Sequence, residues 1–422
     1  VPTPPETIEW RKLAIPAYGP TVLVAVGQGA ILPLIALSAR DLGASVGTAA
    51  LIVALTGIGQ LIGDLPAGAL AARIGERRAL ITACLVEALA LAGAFLARTL
   101  LLLAIAVLIT GLAGAVFSLA RQKYLTEAIP IRVRARALST LGGAGRIGVF
   151  VGPFVSALIV SRTSIGAAYG FAAVMSLAAA VLAFATPDLT SATPGHHDHH
   201  AGRDGRDRRD DGGRPRHRSV LSVLAEHRRV LVLLGTGVLV ISAVRATRQT
   251  IVPLWAEAHG LDATTTSLIY GISAGIDMLM FYPGGAIMDR FGRTAVAVPS
   301  MIILGTGFAL LPLTSSAVGI GAVACLMGLG NGISSGIVMT LGADASPDDG
   351  RAQFLGGWRL FSDLGNAGGP LIISAISTVA PLAVAVLVMA GIGYAGAGWL
   401  ARWVPRFAVH HTPTPGHQPA PK

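Results

Sequence analysis

The feature that most constrains this chain is a succession of long apolar runs joined by short links. Twelve can be marked, at about 13–39, 46–71, 79–97, 99–120, 137–161, 165–186, 230–256, 265–288, 294–313, 317–342, 352–378 and 381–401. A helix needs roughly 20 apolar residues to cross the hydrocarbon of a bilayer. In lipid, only helices and closed barrels satisfy their own backbone hydrogen bonds. The alternation of about 10 residues that marks a barrel strand is absent, so the runs read as helices. Composition agrees, because 53% of the 422 residues are hydrophobic and only 13% are charged. That is too little charge to cover a soluble surface. The expected fold class is an all-α integral membrane protein with twelve transmembrane helices.

The formal net charge of +10 raises a nucleic-acid reading. The basic residues, however, are spread over the links between apolar runs, where membrane topology accounts for them. With the first residue placed inside the cell, the cytoplasmic links and tails hold 25 of the 32 Lys and Arg, and the external loops hold Arg40, Arg98 and Arg162. The remaining four, Arg146, Arg245, Arg248 and Arg359, lie within apolar runs. This bias predicts a multi-pass protein of the inner (plasma) membrane with both termini in the cytoplasm. The polar first twelve residues and the long run that follows do not read as a secretory signal. Cys84 and Cys325 lie in apolar runs, so no disulfide is expected.

One stretch breaks the pattern. Residues 187–229 are rich in His, Arg, Asp and Gly and read as a disordered cytoplasmic linker. It divides the chain into a first six-helix bundle (1–186), a second (230–401) and a cytoplasmic tail (402–422). His196, His197, His199 and His200 have the type of metal ligands but no supporting shell, so no metal site is expected.

The two bundles are duplicates. "PAGALAARIGER" at 66–77 matches "PGGAIMDRFGR" at 283–293, with Pro66 and Pro283 217 positions apart. The same offset relates "GLAG" at 111–114 to "GLGN" at 328–331, and "GVFVGP" at 148–153 to "GNAGGP" at 365–370. Repetition at one offset marks an internal repeat. Both repeats begin in the cytoplasm, so they are related by an axis along the membrane normal, an arrangement that places a substrate near the midplane between the halves.

These motifs resemble the major facilitator superfamily of secondary transporters. Its signature between helices 2 and 3 is G-x-L-a-D-R-x-G-R-R. The second repeat supplies Gly285, Ile287, Asp289, Arg290, Gly292 and Arg293, and the first Gly68, Leu70, Arg73, Gly75 and Arg77, with Ala72 in place of the Asp and Glu76 in place of a base. The family's exporters carry G-x-x-x-G-P-x-x-G-G on helix 5. Here Gly148, Gly152 and Pro153 match, while Ser156 and Ala157 replace the last two glycines. The resemblance covers the chain apart from the linker and tails. It implies twelve helices, alternating access and a cytoplasmic gate at the motif, where Asp289 faces the positive end of a neighbouring helix when the inner side is closed.

Ionisable residues inside spans are functional candidates. Arg245 and Arg248 lie three apart on helix 7, which lines the family's central cavity, and could dock an anionic or acceptor-rich substrate. Snorkelling to the outer headgroups is the competing reading. Gln28, Gln249, Asn331, Ser334 and Ser335 are candidate cavity contacts. Glu87, mid-helix 3, reads as a structural hydrogen-bonding residue. Counted at 1.5 Å per residue, Arg146 and Asp277 stand at one level above the inner turn and are expected to pair across the halves. The repeat then places Gln60 opposite Asp363 and Asp64 opposite Arg359, a group of two carboxylates around one Arg that suits a proton carrier, with Asp363 the favoured one. No hydrolase elbow, zincin helix or phosphate loop is present, so an enzyme is not expected. No ATPase domain or cofactor motif is visible, which leaves an ion gradient as the energy source. The expected function is proton-coupled efflux of small amphipathic or drug-like compounds by a monomer in the bilayer. Uptake or exchange of a small organic anion is the alternative, and a membrane-embedded enzyme a remote one.

Overall fold

A computed structural model of the protein describes residues 10–128, 131–186, 220–347 and 349–407. The described residues are helical throughout, without strands. The first half contains α1 (Trp10–Ile31), α2 (Ile35–Asp41), α3 (Val46–Ile74), α4 (Glu76–Phe95), α5 (Leu100–Ala128), α6 (Ile131–Arg162) and α7 (Ile165–Ala185). The second contains α8 (Val220–Glu226), α9 (Arg228–Ala258), α10 (Ala263–Phe291), α11 (Thr294–Leu310), a 3-10 turn (Leu311–Leu313), α12 (Ala317–Ile333), α13 (Ile337–Ala345), α14 (Arg351–Ser377) and α15 (Leu382–Phe407).

Local chemistry sets the ends of these helices, and sets them twice. Ser45 caps α3 by accepting from the Thr48 backbone N–H, and Asp262, 217 positions on, caps α10 through Thr265. Both helices end at a glycine with positive φ, Gly75 at 85° and Gly292 at 86°. A residue with a Cβ is disfavoured there, which is why the turn between each helix and the next keeps its glycine. Pro33 falls between α1 and α2, where the first apolar run bends by 41°.

Among the described residues, nine helices are long and apolar enough to cross a bilayer, or ten if the bent α1–α2 pair is one span. The two of the twelve expected runs that fall outside this set are α10 and α14, both of ample length. They carry Asp277 on α10 and Arg359 and Asp363 on α14, and these charges lower their apolar character. The chain is therefore a multi-pass all-α membrane protein.

Packing repeats the duplication. In the first half α1 lies against α6 and α7, α5 against α3 and α4, and α4 against α7. In the second, α9 lies against α14 and α15, α12 against α10 and α11, and α11 against α15. The halves meet along two equivalent seams, α3 against α14 and α6 against α10. The polar linker expected over 187–229 lies mostly outside the described residues. Its last part is ordered, because Val220–Glu226 forms α8, whose Val223 is fully buried. The apolar residues in "VLSVLAE" supply a face that packs on α14. The four clustered histidines also lie outside the described residues.

Candidate functional site

The α6–α10 seam holds a charge cluster centred on Asp277. Arg146 Nη1 on α6 lies 3.1 Å from Asp277 Oδ1, and Arg248 Nη1 on α9 lies 3.4 Å from Oδ2. Asn331 on α12 donates its amide to the same Oδ2. Arg248 also donates to Ser273 Oγ at 2.9 Å. Its side chain is only 5% exposed, so it neither snorkels to a headgroup nor stands open to a solute. Arg245 donates to the Ser334 hydroxyl at 2.7 Å and to the Ser334 carbonyl. Ser335 donates to the Asn331 carbonyl. The guanidinium of Arg146 stacks over the Phe281 ring at 4.4 Å.

The α3–α14 seam holds a second cluster. Arg359 grips Asp64 with two bonds, Nη2 to Oδ1 at 2.7 Å and Nε to Oδ2 at 3.1 Å. Asp363, one turn along α14, lies 3.5 Å from Arg359 Nε, and its buried Oδ2 makes no hydrogen bond. Gln60 does not hydrogen-bond to Asp363. It turns instead into a cavity between the halves.

That cavity, about 320 Å³, is bordered by all seven helices of the first half, α1 to α7, and by α9 and α14 of the second. Gln28 and Gln249 line it, as do Gln60 and Asn366. Behind Gln28 stands Glu87, fully buried on α4, which accepts from Gln28 Nε2 at 2.9 Å. Arg245, Arg248, Asn331, Ser334 and Ser335 do not border this cavity. Asn366 had a signal in the sequence that could have found it. The 217 offset carries it onto Val149, which borders the same cavity, so a polar residue stands where the sister half is apolar. A second, wider cavity of about 670 Å³ lies along the α6–α10 seam, with Arg146, Asp277 and Ser335 in its wall. Val149 borders both cavities.

The residues of the repeated turn motif behave unequally. Arg77 donates to the Ala183 and Phe184 carbonyls at the C-terminal end of α7, at 3.1 and 2.9 Å. Arg293 pairs with Asp344 at 2.6 Å. Arg290 lies over the Phe291 ring, and Arg73 is exposed. Asp289 is also exposed and makes no hydrogen bond or ion pair among the described residues. Gly68 and Gly285 have open space or only loose contact around them. Gly148 and Gly152 are tight, because a Cβ at either would collide with the α1 backbone around Val26. Pro153 lies within α6 just beyond them.

A duplicated helical bundle with a cavity between its halves, and charge clusters on the seams, is the architecture of a membrane transporter. A family model described as Major Facilitator Superfamily matches residues 21–370, and the chain belongs to that superfamily. It is similar to "Multidrug resistance protein MdtG" of Klebsiella pneumoniae (strain 342), at 29% identity over 177 residues, 41% of this chain and 42% of that protein. The protein of the same name from Escherichia coli (strain K12 / DH10B) matches equally, at 29% over 177 residues. The chain thus matches about two fifths of the length of these curated relatives. In fold it is similar to a POT family transporter solved with a thioalcohol-conjugated peptide, with TM-score 0.76, 10% identity, 94% of this chain and 96% of that one covered. It is also similar to the xylose transporter XylE from E. coli in an inward open conformation, with TM-score 0.69, 15% identity and 95% and 98% covered.

Proposed function

We infer that the chain exports small amphipathic compounds in exchange for protons, by rocking its two halves about the cavity between them. The bundle end that carries the Gly75 and Gly292 turns faces the cytoplasm of the cell whose inner membrane it spans. The carrying observation is the Asp64–Arg359–Asp363 cluster. It has two carboxyls and one guanidinium, so in a low-dielectric seam it is neutral only when one carboxyl holds a proton. Asp64 is on one half and Arg359 and Asp363 on the other. Parting the seam leaves Arg359 with Asp363 alone, a pair that is neutral only with Asp363 deprotonated. Asp64, parted from Arg359, keeps its charge in the water that enters the open seam, so seam opening releases the proton that Asp363 held.

The position of this cluster supports coupling to a solute. Gln60 and Asp64 are four apart on α3, and Asn366 and Asp363 three apart on α14, so cavity and proton site lie one turn apart on the same two helices. The likeness to proteins named for multidrug resistance supports efflux. The anion reading loses its two arginines, since neither borders the cavity. The test is Asp363→Asn in proteoliposomes. The variant is expected to keep solute binding and to lose substrate-driven proton movement. Proton-coupled flux equal to the parent's would remove Asp363 as the carrier.

A further inference from the structure

The cavity between the halves has polar walls without a formal charge. Gln28 on α1, Gln60 on α3, Gln249 on α9 and Asn366 on α14 supply four carboxamides, two from each half, and Thr56 and Thr110 add hydroxyls. No Asp, Glu, Lys, Arg or His is among the described residues that border it. The Thr56 hydroxyl is buried without a partner, a donor and acceptor that the fold itself leaves unused. Asp64 is paired with Arg359, and Asp277 with Arg146 and Arg248, while Glu87 stands behind Gln28, outside the wall, with one oxygen on that amide and the other buried without a partner.

An organic ion entering such a cavity would shed its hydration and find no counter-ion, at a cost of several kcal/mol. A neutral solute meets no such cost. Each carboxamide offers both a donor and an acceptor, which matches the hydroxyl and amide groups of an uncharged molecule. The remaining walls are apolar, including Ile31, Ile35 and Val107, and suit a hydrocarbon or aromatic body. Gln28 is held in place, because one of its amide N–H groups is spent on Glu87. We propose that this cavity selects uncharged amphipathic solutes bearing hydroxyl or amide groups, against organic cations and anions. The proposal rests on the reading of the cavity as the transport site, and it names the substrate class of that site.

The experiment is equilibrium binding by calorimetry to the full chain in nanodiscs, with empty nanodiscs subtracted. Three probes share a phenyl ring: phenyl β-D-glucoside, benzyltrimethylammonium and benzoate. The glucoside is expected to bind at least about tenfold tighter than either ion. Gln60→Leu and Asn366→Leu should each weaken it about fivefold, the loss of one hydrogen bond, with unchanged melting temperature. Binding of either ion as tight as the glucoside overturns the proposal. So does absence of glucoside binding, or leucine variants that melt and bind like the parent. The measurement uses one pH and no gradient. Failure of the Asp363→Asn flux test therefore leaves it standing, and its failure leaves proton coupling standing.

Discussion

Asp277 shows why charge balance has to be counted over a cluster rather than a pair. Arg146 and Arg248 both reach it, and Asn331 adds a third contact. Arg146 is 28% exposed at its side chain and Arg248 only 5%. Losing Arg146 therefore leaves Asp277 neutralised by Arg248, and Arg146→Gln should cost only about 1 kcal/mol. Losing Asp277 strands Arg248 in a buried site, so Asp277→Asn should cost roughly 3 kcal/mol or more. The Arg146→Gln/Asp277→Asn double variant should recover little, because Arg248 remains unpaired. Thermal melts of the four proteins in one detergent check this order, and full recovery in the double variant would contradict the three-way cluster. Asp262 offers a simpler case outside the membrane. The Thr265 N–H and hydroxyl, bonded to its carboxylate, hold its pKa below the ordinary Asp range. A depressed folded-state pKa contributes stability above the unfolded-state pKa, and that contribution is lost as pH falls through the lower value. Asp262→Ala should lower stability by about 1 kcal/mol at neutral pH, with the gap to the parent narrowing in acid. Melting curves at stepped pH read it out.

At the scale of elements, the exporter-like residues Gly148 and Gly152 have a packing role that their motif does not reveal. They let α6 lie on α1 with backbone against backbone. Their repeat partners, Gly365 and Gly369, do the same for α14 on α9, where Leu239 and Ala243 carbonyls fill the space a Cβ would need. Small residues at such crossings are a general means of helix association in membranes. Gly148→Leu should push α6 off α1 and abolish folded protein, whereas Gly143→Ala, with nothing near its would-be Cβ, should gain about 0.5–1 kcal/mol. Expression and gel-filtration profiles of the two variants decide it, and a folded, active Gly148→Leu protein would count against the close crossing. The repeat offset made α1–α6 and α9–α14 recognisable as equivalents in the sequence. It did not show which face of each helix carried the contact, since the apolar runs have too little polar contrast to mark one.

At the scale of the molecule, the two halves are clasped at the end opposite the glycine turns. Arg40, beyond the α1–α2 bend, reaches Glu257 at the end of α9, with 3.2 Å from Nε to Oε1. The two residues are 217 apart, the repeat offset itself, so the clasp joins equivalent positions of the two halves. At about 30% exposure on each side the pair is accessible to salt, and its contribution is modest. Its effect is on the balance between conformations, where even about 1 kcal/mol shifts populations about fivefold. Arg40→Ala, or high salt on the parent, should favour opening at this end. A cysteine at Thr56, in the cavity wall, should then be labelled faster by a reagent added from the side of Arg40. Equal labelling rates with and without the arginine would show that the clasp does not hold this end shut.

The sequence by itself determined the class, the duplication and the chemical inventory. Apolar length against bilayer thickness is a local property, and it marked the helices, α10 and α14 included, although their charges lower their apolar character. The offset between motifs is likewise written along the chain, and with the rise per residue it set Arg146 level with Asp277. Partner choice is another matter. Whether Arg248 turns to Asp277 or to headgroups, whether Gln60 meets Asp363 or the cavity, and whether Arg245 serves a solute or Ser334 depend on the rotation of each helix about its axis. That rotation is set by the packing of neighbouring helices distant in sequence, through close contacts such as Gly148 on α1. Only the tertiary structure decides it, because a charged side chain in a low-dielectric bundle goes to the partner the packing brings within reach.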